Sequence, residues 1–140
     1  MNGGRVLVDS NVLLDILTED SRWFAWSSGQ LGRLADSCAL VINPIVYAEV
    51  SIGFERIEDL EEALPDEYFV RSQIPWEALF LAGKCFLQYR RSGGRKQSPL
   101  PDFFIGAHAA VEGMPLLTRD GKRYRTYFPR LQLIMPEGGE

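Results

Sequence analysis

Four acidic residues, Asp9, Glu49, Asp102 and Asp120, stand where the folded chain is expected to turn a carboxylate inward or hold it at the mouth of a crevice. Carboxylates brought close together repel one another by kcal/mol amounts unless cations sit among them, and oxygen ligands select hard ions such as Mg2+ or Mn2+. An ion held this way activates water and steadies the attacking and leaving oxygens of an in-line phosphodiester displacement, with two ions about 4 Å apart if both bind. These four acids are therefore the candidate catalytic and metal-binding residues. Taken singly each has a plainer role: Asp9 as a cap, Glu49 as the wet edge of an apolar stripe, Asp102 as a helix N-terminal charge, Asp120 as an Asx turn before Gly121.

The elements around them supply the reason to take them together. Arg5-Val6-Leu7-Val8 is an apolar run without alternation, as a strand buried on both faces of a parallel sheet requires, and Asp9 follows at its carboxyl end. Ser10 and Asn11 can cap the helix that follows, with Val12, Leu13 and Ile16 as its apolar stripe. Ala39-Leu40-Val41-Ile42 repeats the pattern, and Asn43-Pro44 starts a helix on which Ile45, Glu49 and Ile52 share one apolar arc. Pro75 opens a long helix that runs to the Ser92-Gly93-Gly94 turn, and Asp102 lies in the first turn of the next helix, carried by Phe103, Ile105, Ala107 and Val111. Pro115-Leu116-Leu117-Thr118 is a further strand with Asp120 just beyond it, and Leu131-Gln132-Leu133-Ile134 is the last. Right-handed crossovers in a parallel sheet then bring the four acids to one crevice at the strands' carboxyl ends.

The totals fit one α/β domain spanning 1–140: 46% hydrophobic and 24% charged residues leave enough apolar surface for a core. Cys38 and Cys85 show no metal-ligand spacing and read as buried thiols, and no signal peptide or membrane span is visible, so a cytoplasmic location is expected. The net charge of −4 argues against a general nucleic-acid coat, yet ten of the fifteen bases fall in two segments, Lys84, Arg90, Arg91, Arg95, Lys96 and Arg119, Lys122, Arg123, Arg125, Arg130. These flank Asp102 and Asp120, where they would grip phosphates on either side of the acids. His108, the only histidine, sits mid-helix and reads as a packed residue rather than a base.

Val8-Asp9-Ser10-Asn11-Val12-Leu13-Leu14-Asp15, the inward Glu49, Leu100-Pro101-Asp102-Phe103-Phe104-Ile105-Gly106-Ala107-His108-Ala109 and Leu116-Leu117-Thr118-Arg119-Asp120 resemble PIN-domain ribonucleases of the VapC toxin type. The resemblance implies a flavodoxin-like three-layer sandwich on a parallel five-stranded sheet, cleavage of RNA dependent on Mg2+ or Mn2+, a homodimer, and silencing by a cognate antitoxin. It implies that Asp9, Glu49, Asp102 and Asp120 hold the metal and that Ser10, Asn11 and Thr118 orient ligands or substrate; the basic segments, for their part, offer Arg91, Arg95, Lys96 and Arg119 as the bases placed to bind RNA. Trp23, Phe24 and Trp26 cannot all face one core on a helix, so at least one is expected outward, in an apolar groove for an antitoxin segment. Two rival readings remain. A haloacid-dehalogenase-like phosphatase would use Asp9 as nucleophile but needs an acid two residues on, where Asn11 stands, and a non-catalytic binding module gives no reason for Glu49 in an apolar arc.

Overall fold

Val6, Leu7 and Val8, each at most 2% exposed, bury both faces of β1 (Gly4–Val8), and this strand is the centre of the sheet. The computed structural model describes residues 4–93 and 100–137, so the candidate bases Arg95 and Lys96 lie outside the described residues. From β1 the chain passes through α1 (Ser10–Leu17) and α2 (Phe24–Ala35) to β2 (Cys38–Ile42), then α3 (Pro44–Ser51), α4 (Ile57–Ala63) and β3 (Phe69–Arg71). It returns by α5 (Trp76–Arg91) and α6 (Leu100–Glu112) to β4 (Leu116–Leu117), α7 (Lys122–Arg125) and β5 (Leu133–Ile134). The five strands run parallel in the order β3-β2-β1-β4-β5, the α/β arrangement expected from the apolar runs. β4 and β5 are shorter than the sequence suggests, because only Leu116, Leu117, Leu133 and Ile134 pair with a neighbouring strand.

The order reverses between β1 and β4: the chain leaves β1 toward β2 and β3, then comes back to the other side. Ligand crevices of open α/β sheets form at such a switch point, outside the carboxyl ends of the strands. Asp9 follows β1 and Thr118 follows β4, and the backbone N–H of Asp9 donates to the Leu117 carbonyl at 2.9 Å, so the two strand ends leave the sheet side by side.

Helix positions follow from a few side chains. Asn43 caps α3 by accepting the Val46 N–H at 2.9 Å, and its amide nitrogen lies 3.0 Å from His108 Nδ1 on α6. His108 is fully buried and burial lowers its pKa, so it is a neutral packing residue that fixes the helix of Glu49 against the helix of Asp102. The helix of Trp26 begins only at Phe24, because the Asp20 carboxylate accepts the N–H groups of Arg22 and Trp23 and holds that stretch in a turn. Phe86, Tyr89, Phe103 and Tyr127 form an aromatic cluster joining α5, α6 and the segment after α7. No disulfide joins Cys38 and Cys85, and Cys38 is half-buried rather than buried. Among the described residues no helix is long and apolar enough to cross a membrane.

Gly106 decides how closely α7 approaches α6. A methyl group there would stand 2.5 Å from Cε2 of Phe128 and 3.0 Å from Cδ1 of Tyr124, both in buried rings. Gly106→Ala gains about 1 kcal/mol of helix propensity but incurs about 1–3 kcal/mol of overpacking, so a net loss near 1 kcal/mol is expected. Urea unfolding checks this, and a midpoint equal to or above wild type would show that the approach is not tight.

Candidate active site

The turn out of β1 places Asp9 with ψ 151°, outside the helix, where its Oδ1 accepts the Ser10 N–H at 2.8 Å. The sequence offers Asp9, Ser10 and Asn11 as caps; Asp9 is the one that caps α1, and the two following side chains are released for other contacts. The other carboxylate oxygen, Oδ2, accepts the Thr118 hydroxyl and the Tyr124 phenol, each at 2.8 Å. Asp9 is 4% exposed. Burial pushes its pKa up and Glu49 adds to the push, while the three hydrogen bonds pull it down.

Ser10 turns back and donates its hydroxyl to Glu49 Oε1 at 2.6 Å. On α3 the buried positions are Val46 and Val50, and Glu49 is half-buried beside them. Ile52 does not share its arc, being 84% exposed, because α3 stops at Ser51 and Ile52 is already its C-cap. Asn11 spans the switch point: its Nδ2 donates to Thr118 Oγ1 at 3.3 Å and its Oδ1 accepts the Arg119 N–H at 3.2 Å. Thr118 Oγ1 also accepts the Asp120 N–H at 3.0 Å, so one hydroxyl fixes Asp9 and the turn that carries Asp120. A phosphatase needs an acid where Asn11 stands, and both amide atoms of Asn11 are committed to this turn.

Asp102, in the first turn of α6, is 7% exposed, and its pKa is pushed up to about 7. Burial is the main cause, Arg123 opposes it, and repulsion from Asp9 and Glu49 adds to it. Asp9, Glu49 and Asp102 thus share one electrostatic site. Asp120 is joined to them through Arg123, whose Nη1 donates to Asp102 Oδ2 at 2.8 Å and whose Nε lies 2.9 Å from Asp120 Oδ2. Among the described residues no three acid, histidine or cysteine side chains form a ready-made metal cage. The donor set nevertheless fits a hard divalent ion, since it consists of oxygens alone and its two buried members, Asp9 and Asp102, have pKa values pushed up by burial and by the charge of Glu49. Asp9, Glu49, Asp102 and Asp120 are the residues that would hold it.

Arg119 is placed elsewhere. Its Nε and Nη2 each donate at 2.9 Å to the two oxygens of Asp15, which is 2% exposed and also accepts the Ser27 hydroxyl at 2.7 Å. The guanidinium lies 5.6 Å from the Trp23 ring centre, so this base ties α1 and α2 to the turn after β4. Arg91 is exposed on the last turn of α5. Trp23 and Trp26 meet edge to face at 6.3 Å and are half-buried, while Phe24, 40% exposed, is the member of the trio that turns outward. Sequence reasoning gave no site role to Asp15 or Tyr124 and read Arg123 only as one of the bases that would grip phosphates. The available signals were an acid on the otherwise apolar α1, a base three residues after Asp120, and an aromatic residue inside a basic run.

A match to the PIN domain family covers residues 6–129, from the start of β1 past α7. The chain belongs to the PIN domain family. No curated protein matches it in sequence. Among solved structures this PIN domain is similar to VapBC2 from Rickettsia felis bound to a promoter DNA fragment, with TM-score 0.71 and 19% identity over 94% of this chain and 98% of that one. VapBC-1 from nontypeable Haemophilus influenzae is similar to the same degree, TM-score 0.71 and 19% identity over 94% and 97% of the two chains. FitAcB from Neisseria gonorrhoeae gives TM-score 0.65 and 17% identity over 92% and 96%. At such identities the likeness is one of fold.

The raised pKa of Asp102 sets a pH dependence for the metal-free PIN domain. A carboxyl raised from its ordinary 3.8 to about 7 contributes stability that is fully present below pH ~3.8 and is lost as pH rises through about 7. Asp102→Asn in EDTA is therefore expected to be more stable than wild type by roughly 1–3 kcal/mol at pH 8, with the gap shrinking by pH 5. Urea unfolding at the two pH values measures it, and a gap of the same size at both would contradict the assignment.

Proposed function

We propose that this PIN domain is a metal-dependent endoribonuclease of the VapC toxin type, cleaving RNA phosphodiester bonds with Mg2+ or Mn2+ held by Asp9, Glu49, Asp102 and Asp120. The observation that carries the reading is the crowding of Asp9, Glu49 and Asp102 at the sheet's switch point, where Asp9 and Asp102 are buried and the charge of Glu49 pushes the pKa of both up. When bound, the ion supplies Lewis-acid stabilisation of the phosphodiester's oxygens and a nucleophile at neutral pH. The protein's own part is positioning. Thr118 and Tyr124 hold Asp9, Ser10 holds Glu49, and Asn11 holds the Thr118 turn, which fixes the acids in place before substrate arrives. Arg91 at the end of α5, with Arg95 and Lys96 beyond it, would contact RNA phosphates, whereas Arg119, spent on Asp15, serves as a positioning residue.

Partners follow from the apolar surface. A groove of about 450 Å³ between α1, α2 and α4, lined by Leu13, Ile16, Leu31, Leu64 and Phe69, is the seat we assign to an apolar antitoxin segment. It uses the inner side of α2, not the half-buried tryptophans. Trp76 and Phe80, 85% and 69% exposed and one turn apart on α5, support self-association as a homodimer.

Purified protein incubated with total cellular RNA, with Mg2+, with Mn2+ and with EDTA, should produce new RNA ends at defined sequences only where a divalent ion is present. Asp9→Asn and Asp102→Asn should each slow cleavage at least ~100-fold while remaining folded. Wild-type rates in either variant at matched metal concentration would overturn the proposal.

A further inference from the structure

We propose that Arg123 is a built-in counter-ion of the acid cluster, one that holds Asp102 and Asp120 and has to leave Asp102 before a divalent ion binds. The inference rests on the proposed metal site. It adds that the chain itself contains the competitor for that site.

The geometry starts from Gly106, where α6 has no side chain to keep α7 at a distance and the rings of Tyr124 and Phe128 close on it. This docking fixes α7 against α6, the helix that begins with Asp102. Two consecutive residues of α7 then reach two different acids: Tyr124 donates to Asp9 Oδ2 and Arg123 to Asp102 Oδ2. Tyr124 is 1% exposed, whereas the Arg123 side chain is 39% exposed, so the tyrosine is a fixed ligand of Asp9 and the arginine can swing outward without unpacking the core. Lys122 and Arg125, the other bases of α7, are exposed, and Arg119 is held by Asp15. Among the described residues Arg123 is therefore the cation that pairs with the cluster's acids, Asp102 and Asp120.

A guanidinium and a divalent ion would compete here for the Asp102 carboxylate, whose Oδ2 Arg123 already occupies. They also repel each other, as two cations confined to a partly buried site. Removing the guanidinium leaves four carboxylates and no counter-charge, which favours the ion. The opposite role, an arginine that presents the acids to the metal, predicts the opposite result when it is removed.

The experiment is Mn2+ binding to the full chain by titration calorimetry and by electron paramagnetic resonance, on wild type, Arg123→Gln and Arg123→Lys, each confirmed folded by circular dichroism. Arg123→Gln is expected to bind Mn2+ at least ~10-fold more tightly than wild type. Arg123→Lys, which keeps the charge but not the two-pronged donor geometry, should fall between them. Equal or weaker binding in Arg123→Gln overturns the inference. Asp9→Asn in the Arg123→Gln background separates it from the underlying reading: binding lost there upholds the acids as the metal site whatever Arg123 does, and no Mn2+ binding in any of the chains overturns both.

Discussion

The hydrogen bonds around the Asp9 carboxylate are the constraint on which the rest of the site depends. Three donors converge on it, from the first turn of α1, from the end of β4 and from α7, and the last two partners are 109 and 115 residues away along the chain. Their convergence is possible only because β4 returns beside β1. The carboxylate, buried at a cost of desolvation, is thereby the point at which the first and last thirds of the fold are joined. Each bond keeps the ionised form accessible, while burial and Glu49 press toward neutrality, and the balance leaves a site poised to accept positive charge.

Two arginines four residues apart show how the charge is distributed. Arg119 completes a buried ion pair with Asp15 and stabilises the frame, whereas Arg123 turns to the cluster. The two arginines differ in what their buried partners touch: Asp15 and Ser27 form a closed network, and Asp102 remains coupled to Asp9 and Glu49. Tyr124 and Thr118 then set the position of Asp9 independently of where Arg123 points.

Much of this frame was legible in the sequence. Unalternating apolar runs gave β1 and β2, Asn43-Pro44 gave the start of α3, and an acid after each of two strands pointed to one crevice. What was not legible depended on contacts distant in sequence or on where a helix ends. Ile52 follows the apolar period of α3 but falls past its last turn, so period alone put it in the wrong environment. Arg119 and Arg123 belong to one basic run and differ only in which acid the tertiary fold brings near. Asp9, Ser10 and Asn11 are equally good caps by type, and the choice was made by Glu49 and Thr118 drawing the last two side chains away.

A carboxylate cluster held in place by hydrogen bonds at the sheet's switch point should take up a divalent cation. The most direct measurement is the unfolding free energy of the full chain in urea as a function of Mn2+ concentration. Binding to the folded state alone makes stability rise by RT ln(1 + [Mn2+]/Kd), about 1.4 kcal/mol for each tenfold increase above Kd, and Asp9→Asn should flatten that rise. A wild-type stability independent of Mn2+, or a rise of equal slope in Asp9→Asn, would contradict the account.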